Sequence, residues 1–313
     1  MTELESLAQS TIIVADTGDI ESIARLQPRD ATTNPSLILK AASDPKYREL
    51  VVKAKTDSHT TDEACDRVLV AFGSEILKYI PGRVSTEVDA RYSFDSTATI
   101  NKARRIISLY EEAGFDRERI LIKIAATWEG TEACRVLQQE GIHCNMTLIF
   151  SLAQALQSSD AKATLISPFV GRVYDWYKKQ AGSQWVEEEN SGVNDPGVKA
   201  VHLIYERLKG SGSKTEVMGA SFRNKKQILA LTGCDLLTIS PKLLDELSSS
   251  EGHVQRQLDP AKVQQYRPES FTEPNFRFVI NDDQMANEKL SEGIRLFVKD
   301  TFKLQTLLET LQI

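Results

Sequence analysis

Ile120-Leu121-Ile122-Lys123-Ile124-Ala125 reads as a β-strand with one residue out of place. A run that is apolar on both faces belongs to a sheet covered on both sides, as parallel sheets are. Side chains alternate along a strand, so Ile120, Ile122 and Ile124 share one face and Leu121, Lys123 and Ala125 share the other. If the isoleucines pack against helices, Lys123 points into the interior. An unpaired charge there is strongly unfavourable. Desolvation favours the neutral amine and draws its pKa down from about 10.4. A nucleophilic amine acting near neutral pH needs the same shift. The other reading is a strand-end lysine that reaches water or pairs with a carboxylate, and this strand alone does not choose.

Outward from it, short β-rich runs alternate with amphipathic stretches along the chain. The runs are residues 11–15, 32–33, 84–88, 120–125, 144–149, 164–167, 216–220 and 236–239. Helical patterning covers 36–54, 62–79, 98–112, 131–140 and 196–208, with a further helix at 224–231. Alternation of this kind predicts parallel strands joined by helical crossovers. About eight strands favour a closed (β/α)8 TIM barrel of class α/β, one domain over residues 1–313. Beyond the eighth strand the pattern predicts a helix near 242–249, a polar irregular stretch through about Phe276, and a C-terminal helix over roughly 284–311. These additional helices pack on the barrel or on a partner subunit. Residues 182–197 read as a flexible loop whose Glu187-Glu188-Glu189 is a solvated face, ending on Asp195-Pro196 as an N-cap and first turn.

Other strands repeat the anomaly of Lys123. In Val84-Ser85-Thr86-Glu87-Val88-Asp89 the alternation sends Ser85, Glu87 and Asp89 inward. Asp16 ends the first strand, Asn34 follows the second, Asn145 and Thr147 share a face of the fifth, and Ser167 ends the sixth. Barrel enzymes carry their active sites at the C-terminal ends of the strands. Singly, Asp16 before Thr17-Gly18 reads as turn chemistry and Asn34 before Pro35 as a helix cap. Together they surround one lysine. Arg172 and Arg223 follow strand ends as well, and the stretch Ser221-Phe222-Arg223-Asn224 leads into a helix whose free N–H groups suit a phosphate. The alternative for each arginine is a surface ion pair.

The bulk composition narrows the partners. Of 313 residues, 41% are hydrophobic, enough for a large core, and the net charge of -6 offers nothing to attract nucleic acid globally. Any anion is bound by a local cluster. The polar start Met1–Ser10 does not resemble a signal peptide, and no apolar run approaches the ~20 residues of a membrane span. Cys65, Cys134, Cys144 and Cys234 are scattered, as reduced thiols of a cytoplasmic protein would be. His59, His143, His202 and His253 lie far apart, so no metal site is expected.

Two segments carry a resemblance. Asp30-Ala31-Thr32-Thr33-Asn34-Pro35-Ser36-Leu37 and Ile122-Lys123-Ile124-Ala125-Ala126-Thr127-Trp128-Glu129-Gly130 are similar to the signature segments of class I transaldolases. The similarity runs on through residues 14–19, 81–91, 166–172 and 218–224, and in order and spacing it resembles the longer bacterial and eukaryotic-type branch. The resemblance implies a Schiff-base lysine at Lys123 and a general acid/base at Asp16. It implies that Glu87 and Thr147 handle a water, that Asn34, Asn145 and Ser167 contact a dihydroxyacetone unit, and that Arg172, Ser221 and Arg223 bind phosphate. It further implies sugar-phosphate substrates, no cofactor and a homodimer. Residues 158–162 look atypical and are read as a connection. Phe169 either dries the site or anchors a loop.

Overall fold

The computed structural model describes residues 1–312. In chain order the elements are α1 (Glu3–Leu7), β1 (Ile12–Asp16), α2 (Ile20–Leu26), β2 (Asp30–Thr32), α3 (Pro35–Ala42), α4 (Arg48–Thr56), α5 (Thr61–Leu77), β3 (Val84–Glu87), α6 (Ser96–Glu112), β4 (Ile120–Ala125) and α7 (Trp128–Gln139). There follow β5 (Cys144–Ile149), α8 (Leu152–Asp160), β6 (Leu165–Pro168), α9 (Val170–Ala181), α10 (Pro196–Gly210), β7 (Glu216–Gly219), α11 (Lys225–Leu229), β8 (Leu236–Ile239), α12 (Pro241–Ser248), α13 (Glu273–Asp282) and α14 (Gln284–Thr310). The strands are all parallel and close as β1-β2-β3-β4-β5-β6-β7-β8. The chain is a (β/α)8 barrel, as the alternation predicts.

The two faces of β4 separate as expected. Ile120, Ile122 and Ile124 join the large apolar layer between the sheet and its helices, with Ile106, Ile107 and Leu137. Leu121 faces inward and packs with Val14, Leu165, Met218 and Leu236, a dry plug inside the barrel. Helix starts follow local chemistry. Asn34, Thr127 and Ser151 each accept a hydrogen bond from a first-turn N–H of the helix that they cap. Asp195 caps α10 by accepting from the N–H groups of Gly197 and Val198, with Pro196 at the first position.

Several expectations need correction. The helix read over 36–54 is two, because Asp44-Pro45 interrupts it: proline has no N–H to donate and a short 3₁₀ turn intervenes. The polar tail contains α13, which buries Phe276 and Ile280 and leaves Phe278 and Val279 exposed. Residues 158–160 are the last turn of α8, and only Ala161 and Lys162 connect. Within 182–197, Glu187 is not simply solvated: it accepts from Tyr174 Oη, Lys178 Nζ and Trp185 Nε1 and ties the loop to α9.

The C-terminal helix packs on the barrel itself. Its first half lays Met285, Leu290, Ile294 and Phe297 against Leu148, Phe150, Phe169 and Ala220 at the mouth. Its second half packs Leu304 and Leu308 against α3 and α5. The four cysteines are buried and unpaired. Among the described residues no helix is long and apolar enough to cross a membrane.

Candidate active site

The barrel register aligns the site before any side-chain detail. Glu87 of β3 pairs with Lys123 of β4, which pairs with Asn145 of β5. Residues in register in a parallel sheet point the same way, so the three side chains form one row on the inner wall. Four of the five plug strands step two residues upward to a polar group: Val14 to Asp16, Leu121 to Lys123, Leu165 to Ser167, Leu236 to Thr238.

Lys123 is 4% exposed. Its Nζ lies 3.4 Å from Glu87 Oε2 and donates to the Thr33 carbonyl at 3.4 Å. Both contacts are longer than the ordinary range for such bonds. The amine is therefore loosely held at the floor of a cavity of about 160 Å³ lined by Asp16, Asn34, Lys123, Ser167, Phe169 and Arg172, with Ser221 and Arg223 at its rim. Glu87 sits just behind the lysine. Burial pushes its carboxyl up to about 7, against the pull of Lys123. Its Oε2 has only the long contact with Lys123, and the hydroxyl of Thr147 is buried without a hydrogen-bond partner.

Asp16 keeps some area open to the cavity while protein surrounds its carboxyl, and this burial raises its pKa. Lys123, the hydroxyl of Thr32 and Arg172 pull the other way. Thr32 Oγ1 donates to Asp16 at 2.8 Å and lies 2.6 Å from Thr238 Oγ1, which makes Thr238 the donor of the second bond. Asn145 donates to Ser85 at 3.0 Å and accepts from Ser167 at 2.6 Å, so these groups hold one another in a fixed array. Asn34 serves two ends at once: it lines the cavity and caps α3 by accepting from Leu37 N–H at 3.0 Å.

Arg172, in the first turn of α9, and Arg223, in the loop before α11, come from segments that touch backbone to backbone. Gly171 N–H donates to Ser221 O at 2.8 Å, and a Cβ on Gly171 would stand 2.2 Å from that oxygen. Ser221 takes a left-handed φ of 63°, uncommon for serine, which turns the loop at the rim. Arg172 is largely buried; burial and the charge of Arg223 hold its pKa below the usual arginine value, and its Nη1 has no partner. Arg223 is half-exposed and paired with Asp175 at 2.7 Å. The helix after it is shorter than expected. α11 has five residues, Asn224 caps it, and the Arg223 N–H donates to Gln227 Oε1. The N–H groups of Arg223 and Gln227 are taken in this way, which leaves fewer free donors at this helix start than expected.

Seven of the ten residues expected at the site line the cavity; of the other three, Glu87 contacts Lys123, Asn145 bonds Ser167, and Thr147 is buried on β5. Asp89 does not join them. β3 ends at Glu87, and Asp89 turns out to cap the next turn and pair with Arg91. Thr32 and Thr238 were missed, although the same alternation that flagged Lys123 points them inward. Phe169 is 6% exposed, stacks edge-on against Phe150 with ring centroids 5.6 Å apart, and faces Arg172, which joins its two readings. No residue of 182–197 lines the cavity. Residues 13–308 match the family model described as Transaldolase/Fructose-6-phosphate aldolase.

Proposed function

We propose that this chain, which belongs to the transaldolase/fructose-6-phosphate aldolase family, is a transaldolase of the longer branch. Aldolase-type chemistry goes with that family. The finer reading is transfer of a dihydroxyacetone unit from sedoheptulose 7-phosphate or fructose 6-phosphate to glyceraldehyde 3-phosphate or erythrose 4-phosphate, in the non-oxidative pentose phosphate pathway. The observation that carries it is the loosely held, buried Lys123 between two carboxyls of raised pKa, Asp16 and Glu87.

In this reading the neutral amine of Lys123 attacks the ketone carbon C2. The carbinolamine loses water with Glu87 and Thr147 moving the protons, which matches their unpartnered oxygens. Asp16 takes the proton of the C4 hydroxyl, the C3–C4 bond breaks, and its electrons pass into the iminium. The aldose leaves and the three-carbon enamine stays bound to Lys123. An acceptor aldehyde then reverses the bond-breaking step, Asp16 returns the proton, and hydrolysis frees the lysine. Asn34, Asn145 and Ser167 hold the hydroxyls of the three-carbon unit. Arg172, Ser221 and Arg223 hold the phosphate. The reading takes the chain as one catalytic domain in a cytoplasmic homodimer, without a cofactor.

Borohydride reduction in the presence of fructose 6-phosphate, followed by peptide mass analysis, tests the Schiff base. The expected result is a reduced adduct on Lys123, and an unmodified Lys123 overturns the scheme. Turnover of fructose 6-phosphate tests the transfer. It should require an aldose phosphate, and rapid release of free dihydroxyacetone without one would assign an aldolase instead. Asp16→Asn should still trap substrate on Lys123 while losing cleavage by about 10²–10⁴-fold.

A further inference from the structure

We propose that α14 belongs to the phosphate-binding end of the cavity, with Phe297 and Gly293 as positioning residues that seat the guanidinium of Arg172. This rests on the reading of Arg172 as a phosphate contact. The geometry begins with two aromatic rings beside that guanidinium. Its central carbon lies 4.9 Å from the ring centroid of Phe169 and 5.5 Å from that of Phe297. Phe169 comes from the loop after β6. Phe297 comes from the C-terminal helix, outside the barrel repeats, and is 1% exposed.

An aromatic ring attracts a cation through the negative face of its π-system and asks for no N–H donor in return. The bidentate fork of arginine lies in its plane. Two such ring contacts therefore hold Arg172 without drawing on its N–H donors. Its Nη1 is buried on the side of α14 and has no hydrogen-bond partner, as a group held by rings rather than by acceptors would be. An acidic residue in place of either ring would hold the arginine too, but it would occupy the fork and cancel the charge. Glu292, the nearest acid on this stretch of helix, is engaged by Lys289 at 2.6 Å.

Gly293 allows the helix to come this close. A Cβ there would stand 3.2 Å from Arg172 Nη1 and 2.7 Å from Leu148 Cδ2. Leu148 cannot easily retreat. It holds a φ of 55° at the point where the β5–β6 register shifts, and it is fully buried. One methyl at 293 thus pushes α14 away from the mouth or the guanidinium away from its ring.

Steady-state kinetics with fructose 6-phosphate and with unphosphorylated fructose as donors, together with competition by inorganic phosphate, separate the possibilities for Arg172→Ala, Phe297→Leu and Gly293→Ala. Phe297→Leu should raise KM for the phosphorylated donor about 5- to 30-fold, as loss of a desolvated cation–π contact implies. The apparent Ki of inorganic phosphate should rise in parallel. kcat should fall much less, and the unphosphorylated donor should be affected far less. Gly293→Ala should show the same pattern, more weakly. Arg172→Ala gives the reference. If it does not weaken the phosphorylated donor selectively, the reading of Arg172 itself fails. If it does, and Phe297→Leu and Gly293→Ala alter both donors equally or neither, only the role of α14 is overturned. If Phe297→Leu does not fold, Gly293→Ala decides by the same criterion.

Discussion

The two ends of the barrel are built from the same strands and treat charge in opposite ways. At the N-terminal end, Asp30 of β2 and Glu216 of β7 are bridged by Arg83, with contacts of 3.1 and 2.8 Å, and Arg83 N–H adds a bond to Asp30 at 3.0 Å. Above this triad the apolar plug of Val14, Leu121, Leu165, Met218 and Leu236 seals the interior. At the C-terminal end, Lys123 has two contacts of 3.4 Å, one of them the sole contact of Glu87 Oε2, and Thr147 Oγ1 and Arg172 Nη1 have no hydrogen-bond partner. Glu216 Oε2 at the other end, though it makes no well-aligned hydrogen bond, has its cation at 2.8 Å. Buried polar groups are normally satisfied, and those that are not mark strain, chemistry or a ligand. One end spends its charges on holding strands together, and the other keeps them open.

Removing the central charge at the open end should cost chemistry and spare the fold. Lys123→Met should lower kcat on the order of 10⁴-fold or more, as loss of a covalent nucleophile does. It should leave the melting temperature equal or higher, since an apolar group of similar volume replaces a buried charge. Thermal denaturation beside activity checks both halves. A Tm that falls by several degrees would mean that Lys123 holds the strands together as well. Arg83→Met makes the opposite prediction. It strands Asp30 and Glu216 without their shared partner, so stability should fall by about 3–5 kcal/mol. The kcat and KM of the folded enzyme should stay within about twofold, because the plug separates the triad from the cavity. Denaturant titration and kinetics on one sample decide, and a large change in kcat would erase the distinction between the two ends.

Much of this contrast is legible in the sequence because a barrel strand has a period of two. Once Lys123 is out of place in an apolar run, the alternation aims Glu87, Asn145, Thr147 and Ser167 at the same interior. It places Leu121 and Leu165 one layer below. The eight strands are readable for the same reason, with ends displaced by a residue or two where a turn residue continues the β-rich composition. What is not readable depends on contacts distant along the chain. Nothing near Asp30, Arg83 or Glu216 announces that the three meet. Phe297 lies 125 positions from Arg172 in the numbering and looks like any apolar residue of an amphipathic helix. α13 escapes because most of its residues face solvent, and Phe276 and Ile280 alone do not make a periodic pattern. The helix read over 224–231 is present but shorter, because α11 ends at the Ala230 cap and the chain turns through residues 231–233.

A smaller effect sharpens the comparison through pH. Glu87 has its carboxyl raised from 4.5 to about 7, chiefly by burial. A raised carboxyl binds its proton more tightly in the folded state than in the unfolded one. Its contribution to stability is therefore fully present below pH 4.5 and is lost as pH rises through 7. Glu87→Gln abolishes this titration. The stability of the variant relative to the parent should increase between pH 5 and pH 8, by at most on the order of 3 kcal/mol. Denaturant midpoints across that range measure it. A difference that stays flat with pH would mean that Glu87 is ionised and well paired in the folded protein, which would make the open end resemble the closed one.

The smallest effect concerns the one cation at the open end that is tightly paired. Arg223 gives Nε and Nη2 to Asp175 at 3.0 and 2.7 Å, and only Nη1 turns to Ser221. Both partners are about two-fifths exposed, so the pair is worth no more than about 1 kcal/mol. Asp175 competes with an incoming phosphate for the same fork. Asp175→Asn keeps the size of the side chain and removes the competing charge. KM for phosphorylated donors should fall by roughly two- to fivefold, with stability unchanged within about 0.5 kcal/mol. The gain should shrink as ionic strength rises, because exposed charges are screened within a Debye length of about 10 Å at 0.1 M salt. A rise in KM instead would show that Asp175 orients Arg223 for the phosphate. The open end would then hold one of its arginines with an acid and the other with aromatic rings, two solutions to the same positioning problem in adjacent segments.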